Sequence, residues 1–204
     1  SGAFRFEGLD AAAGLEYWPE VLYLGVPYRS AEALRFDGVQ ALLQTTMTVY
    51  ETTDDDSAIV LSSVHMIAES FGQVLRISEI HLFGNSGDRT YVGRDGATVL
   101  IPLPADAVGL SFSQDMPADR FSQVGGGLLD TEPVPPGEET SLAFFSYHLM
   151  VGNQAAAMER RFVYPVQVFN LLVAQPGLTL RSEQLLARGP QLFQGRNYEL
   201  YVAQ

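Results

Sequence analysis

The sequence contains no cysteine. Disulfides, thiolate metal sites and a cysteine nucleophile are therefore excluded. It contains no lysine either, so all twelve basic side chains are arginine. That removes Schiff-base chemistry and the lysine of a phosphate-binding loop. It also removes the lysine–asparagine cross-links that brace some surface adhesins. Positive charge is scarce: twelve arginines face 24 acidic residues, for a net charge of −12. A nucleic-acid binder needs a basic stripe to displace counterions, and none is present. An anionic membrane surface repels such a chain for the same reason. No apolar run reaches the roughly 18–20 residues that a membrane-spanning helix needs. The chain opens on Ser1-Gly2 without an initiator methionine, so the expectation is that its true start has been removed.

What remains is a chain of 204 residues, 47% hydrophobic and 18% charged, which is a globular composition with ample size for a core. Its main pattern is alternation. Residues 141–151 place Ala143, Phe145, Tyr147, Leu149 and Val151 on one face. Residues 160–173 place Phe162, Tyr164, Val166 and Val168 on one face, with Arg161 and Gln167 on the other. Period two with aromatic and β-branched residues marks a half-buried strand. These two stretches are expected to pair at the centre of a β-sandwich, joined by residues 152–157, with a bulge or an unpaired edge at Pro165.

Other strands are expected over residues 1–9, 41–53, 58–69, 73–84, 97–101, 108–112, 178–180 and 198–202. Residues 58–69 and 73–84 form a hairpin turning at Ser70-Phe71-Gly72. Asn85-Ser86-Gly87-Asp88 is a turn. Residues 123–139 hold four glycines and three prolines and read as one long irregular segment. Residues 182–187 are the one helical turn suggested, with Ser182 as its cap. The fold class is all-β with almost no helix: two Ig-like or transthyretin-like sandwiches in tandem. The acidic run Asp54-Asp55-Asp56 marks the boundary, giving units 1–54 and 55–204.

The segment Gly2-Ala3-Phe4-Arg5-Phe6-Glu7-Gly8-Leu9 resembles the G-x-F-x-F-x-x-L segment of carboxypeptidase regulatory-like domains. These are transthyretin-like β-sandwiches that recur in bacterial extracytoplasmic proteins. Glu16-Tyr17-Trp18 and residues 21–28 are similar to the tyrosine-rich strand that follows in that family. The resemblance covers residues 1–50. It implies that Phe4 and Phe6 enter a core, and a structural or accessory role without catalytic residues. The family's first strands precede the Phe motif, so the first sandwich is incomplete as written. A neighbouring subunit could supply the missing strands by β-augmentation. The chain ends directly after a strand, so the parent protein is expected to continue toward an anchor.

Few residues suggest chemistry. A hairpin centred on Phe71-Gly72 sets His81 opposite Leu61 or Ser62. It is then three or four residues along from His65, about 10–13 Å, too far to share a metal held at about 2 Å. His148 stands alone on a strand. Asp54, Asp55 and Asp56 are a weak Ca²⁺ candidate, because they lack the alternating spacing that wraps an ion; a solvated linker is the plainer reading. Glu79 is the acid most embedded in a strand and shows no partner in the sequence. No G-x-S-x-G elbow occurs, and the Gly125-Gly126-Gly127 run lacks phosphate-loop spacing. Tyr17, Trp18 and Tyr28 could stack on a sugar, though a core or domain-interface position is the plainer reading for Trp18.

The expected function is that of a non-catalytic, extracytoplasmic structural or interaction protein of a bacterial surface, with no cofactor. It could be a filament subunit completed by a neighbour's strands. The alternative is a carbohydrate- or ligand-binding accessory module of a secreted protein.

Overall fold

A computed structural model describes residues 2–12, 14–39, 42–117, 119–151 and 157–203. The chain is all-β, with no helix among the described residues. It divides into two compact units, Ser1–Glu51 and Thr52–Gln204.

The first unit holds one hairpin, β1 (Glu20–Tyr23) and β2 (Val26–Arg29), with Tyr23 opposite Val26. Leu24 and Gly25 turn it, both at positive φ (48° and 81°). Two left-handed residues twist the turn to match the strands. An isolated bridge joins Tyr17 to Leu34. The strand expected over residues 1–9 does not form among its described residues. Phe4 and Phe6 are exposed (51% and 62%) and not in a core. Their ring centroids lie 5.8 Å apart, and Arg5 pairs with Glu7 at 2.8 Å. The strand expected over residues 41–53 is absent from residues 42–51. Its last two residues instead form β3 (Thr52–Thr53), paired in parallel with β6 (Thr90–Tyr91) of the second unit. That ladder explains why the division falls after Glu51 and not after Asp54.

The second unit is a β-sandwich. Its large sheet has the order β13-β14-β12-β4-β5-β11-β8. The expected hairpin forms as β4 (Ile59–Phe71) and β5 (Val74–Asn85), with Phe71 opposite Val74. Its turn is Gly72-Gln73, slightly later than the sequence suggests. β11 (Gly137–Met150) follows beside β5, and β8 (Val108–Phe112) flanks β11 at one edge. β12 (Val166–Ala174) lies parallel to β4 on the other side. β14 (Arg196–Ala203) pairs with β12, and β13 (Leu185–Phe193) forms the other edge.

The expected central pair is therefore not a pair. β11 and β12 belong to the same sheet, but β4 and β5 stand between them. Pro165 marks the break: residues 157–165 form no strand, and β12 begins just after it, with the Pro165 carbonyl accepting from the Leu61 amide at 2.8 Å. Most of the expected connector, residues 152–156, lies outside the described residues.

The smaller sheet has the order β7-β10-β9, from β7 (Val99–Pro102), β9 (Phe121–Val124) and β10 (Gly127–Asp130). This corrects the irregular reading of residues 123–139: Gly125 and Gly126 turn a hairpin within it. Residues 178–180 are not a strand. Residues 182–187 are not a helical turn, because Leu185 already belongs to β13.

Val64, Met66, Ile77, Phe83, Phe145, Tyr147 and Leu149 of the large sheet share one buried cluster with Val99, Ile101 and Leu128 of the small one. Two buried faces packed this way define a sandwich. On β4 the alternation slips at a bulge between Leu61 and Ser63, which returns both Leu61 and Val64 to the core. Gly93 has φ +68°, and a Cβ there would stand 1.7 Å from the Ala97 carbonyl oxygen. Gly93→Ala is expected to cost at least about 1–2 kcal/mol, read as a lowered thermal midpoint.

Candidate functional site

The inner face of the large sheet carries one charged side chain at its centre. Glu79 sits on β5 opposite Met66 and Phe145, with Ile77 and His81 two residues away on the same face. It is fully buried (0% exposed). A bare carboxylate there would be very costly, so it must be satisfied.

It is satisfied completely. The Tyr147 hydroxyl donates to Oε1 at 2.6 Å, and His81 Nε2 lies 2.7 Å from Oε2. Arg160 Nε donates to Oε1 at 2.8 Å, and Nη2 donates to Oε2 at 2.7 Å. Arg160 Nη1 donates to the Pro102 carbonyl, which ends β7, and to the Arg161 carbonyl. Arg160 thus ties the large sheet to the small one through the 157–165 segment. Its guanidinium also lies 5.1 Å from the Phe162 ring centroid, in cation–π contact.

Burial pushes Glu79 up, but the His81 hydrogen bond and the Arg160 charge outweigh it and hold the carboxyl at about 2. Burial pushes His81 below its ordinary value and outweighs the upward pull of Glu79. Burial and the Glu79 charge push Tyr147 up. The cluster is therefore an ionised glutamate, a neutral histidine donating from Nε2, a neutral tyrosine and a charged arginine. His81 Nδ1 is buried without a hydrogen-bond partner, among the rings of Phe83, Phe145 and Phe162.

A second buried pair braces the small sheet. Arg120 Nε and Nη2 donate to Asp130 Oδ1 and Oδ2, both at 2.7 Å. Nη2 also reaches Ser141 Oγ of β11 at 3.3 Å. Both pairs use the planar, bidentate match of guanidinium to carboxylate.

Neither brace suits acid–base catalysis. Such a group must reach its substrate and titrate near the working pH. Glu79 is inaccessible and ionised through the whole neutral range. Among the described residues, no three metal-ligating side chains converge.

His81 faces Val64, and His65 faces Ile80. The two histidines are one pair apart along the ladder, on opposite faces of the sheet. The separation expected from the sequence was too large because the turn lies later. His65 Nδ1 is 3.3 Å from the Asn170 side chain on the outer face.

The acidic run is engaged locally. Asp54 pairs with Arg94 at 3.1 Å, and Asp55 accepts from the Ser57 amide at 3.0 Å. The three aromatic candidates of the first unit do not form one platform. Tyr28 is buried, and its hydroxyl donates to the Tyr50 carbonyl at 3.2 Å. Tyr17 donates to the Asp10 carbonyl and meets Phe36 edge-on. Trp18 is half-exposed, with the Arg29 guanidinium 4.8 Å from its ring centroid.

The Glu79 cluster escaped the sequence reading because Tyr147 and Arg160 lie 68 and 81 residues away. One signal was present: Glu79 and Arg160 both occupy the apolar register of their stretches, where unpaired charges are not tolerated.

No family model matches this chain, and no curated protein matches it. Among solved structures it is similar to a two-domain M1 zinc metallopeptidase mutant bound to L-tryptophan. The TM-score is 0.43 at 9% identity, over 78% of this chain and 41% of that one. It is also similar to an M1 zinc metallopeptidase from Deinococcus radiodurans, with a TM-score of 0.40 and 10% identity, over 72% of this chain and 39% of that one. The chain thus spans about two fifths of these structures.

Proposed function

We propose that this chain is a non-catalytic structural and interaction module of a bacterial cell surface, engaging a protein partner through β-strand pairing. The observation that carries the reading is the state of its buried charges. Among the described residues, each carboxylate buried in the sandwich is bound by a guanidinium that ties one sheet to the other. These groups brace the fold, and none is free to act on a substrate. The carboxypeptidase regulatory-like resemblance supports an extracytoplasmic setting, and the absence of cysteine and lysine leaves such packing and pairing as the source of stability.

Self-association is one form of this role. Absolute mass by light scattering on a sizing column tests it. Species that grow with concentration support a filament or surface assembly. A single-chain mass at every concentration removes that form and leaves a monomeric module. The glycan-binding alternative rests on the exposure of Trp18. It predicts a shift in tryptophan fluorescence on adding a binding glycan, and an unchanged spectrum across a glycan panel counts against it.

A further inference from the structure

The outer face of the large sheet carries an apolar field with one polar pair at its centre. One row of side chains crosses six strands: Leu186, Val202, Asn170, His65, Ile80 and Phe144. Leu200, Leu172 and Ile67 stand in the row on one side, and Val168 and Leu82 in the row on the other. Leu186 and Val168 are 46% and 48% exposed, and the rest are half-buried. None of these apolar side chains joins the buried cluster of the sandwich or packs against it. Between β14 and β11 the three rows hold no acidic side chain and no arginine, in a chain with 24 acidic residues and twelve arginines. Strands about 4.8 Å apart and rows about 6.8 Å apart give this field roughly 500 Å². Two such faces laid together remove roughly 1,000 Å², about what a specific pair requires.

The polar pair is self-complementary. The Asn170 side-chain nitrogen donates to His65 Nδ1 at 3.3 Å, so the ring proton sits on Nε2. Nε2 is then a donor and Asn170 Oδ1 an acceptor, side by side, each without a hydrogen-bond partner among the described residues. A donor beside an acceptor matches its own copy when one is turned half a revolution onto the other.

We infer that this face binds a second copy of the chain, sheet against sheet, about a two-fold axis parallel to the strands and between β12 and β4. That line is the midline of the six strands, with β13, β14 and β12 on one side and β4, β5 and β11 on the other. The rotation lays β12 on β4 of the second copy, β14 on β5 and β13 on β11. His65 Nε2 donates to Asn170 Oδ1 of the second copy, and the second copy returns the same bond. Apolar side chains meet apolar ones: Val202 meets Ile80, Leu186 meets Phe144 and Leu172 meets Ile67. Packed sheets stand about 10 Å apart, a gap that an imidazole from one side and a carboxamide from the other close together. An acyl chain would cover the field but leave the polar pair unmatched. The inference rests on the interaction-module reading and names a second copy as the partner, held through a sheet face and not a strand edge.

The test is absolute mass by light scattering on the full chain over about 1–300 μM. The mass is expected to rise to twice 22.3 kDa and stop there, because a two-fold contact closes on itself. Ile80→Arg buries an unpaired charge from each copy and is expected to weaken the pair by about tenfold or more. His65→Ala, at a half-buried position outside the core, is the second variant should the first misfold. It removes both reciprocal hydrogen bonds and is also expected to weaken the pair by about tenfold or more. The chain has no cysteine, so a single introduced one reports its position. Val168→Cys, beside the axis, is expected to join two chains through a bis-maleimide spanning about 10 Å, and Gln123→Cys on the smaller sheet is not. A single-chain mass throughout the series overturns the inference and leaves the module reading to other partners. A two-chain mass that neither face variant lowers, or joining at Gln123 and not at Val168, sinks this face while self-association stands. Growth beyond two chains overturns the closed pair.

Discussion

Replacing Glu79 with glutamine is expected to lower the unfolding free energy by about 3–5 kcal/mol, the usual cost of removing one partner from a buried ion pair. Glutamine keeps the shape but not the charge. The Arg160 guanidinium then remains beside a neutral amide, at a position where only 6% of its side chain is exposed. His81 and Tyr147 also lose the carboxylate that both now use. Domains of this kind are stable by only about 5–15 kcal/mol, so the change should be plain in a urea titration as a lower midpoint with the same slope. The double variant Glu79→Gln/Arg160→Met removes the stranded charge and should recover part of the loss. A change below about 1 kcal/mol in the single variant would show that the guanidinium finds water when the carboxylate is gone.

Acid should unfold the second unit in two stages, and both have the same sign. His81 has a folded pKa below its ordinary value of 6.5, so the unfolded chain takes up that proton first. Stability therefore falls as pH drops below about 6.5. Glu79 is held at about 2 against an ordinary 4.5. Its contribution, about 3 kcal/mol from that difference, is present above pH 4.5 and is lost as pH falls toward 2. The physical origin of the first stage is His81 Nδ1. A proton placed there would point at aromatic rings with no acceptor. Unfolding free energy measured from pH 7 to pH 3 checks both stages. His81→Gln should flatten the upper stage and leave the lower one. A stability that stays level from pH 7 to pH 5 in the parent chain would refute a neutral histidine with an unpartnered Nδ1.

The parts of this fold legible in the sequence are those set by neighbours along the chain. Alternation in residues 59–71 and 74–85, with glycine at the turn, specifies a hairpin without help from elsewhere. Residues 141–150 read as a strand for the same reason. What alternation cannot specify is which strand lies beside which. Residues 141–151 and 160–173 looked like partners because they are adjacent in sequence. Pro165 and the long-range fit of β12 to β4 decided otherwise. Residues 185–193 contain Arg188-Gly189-Pro190, which argues against a strand, and pairing with β14 overrides that local preference. The Glu79 cluster was hidden by the same logic. Each member is unremarkable alone, and the constellation exists only once three distant stretches meet.

The parallel ladder between β4 and β12 also sets an order of events. Val166 pairs with Leu61, and Val173 with Ala68, across about a hundred residues of intervening chain. The hairpin of β4 and β5 can assemble from contacts between sequence neighbours, and β11 joins β5 across about 50 to 75 residues. Its β4 flank stays open until the last quarter of the chain has been made, because β12 and β14 come from there. Closing so large a loop makes this step slow relative to the hairpin. During synthesis, the emerging protein therefore passes through a state with an uncapped strand, which other nascent chains can reach and which a chaperone would have reason to cover.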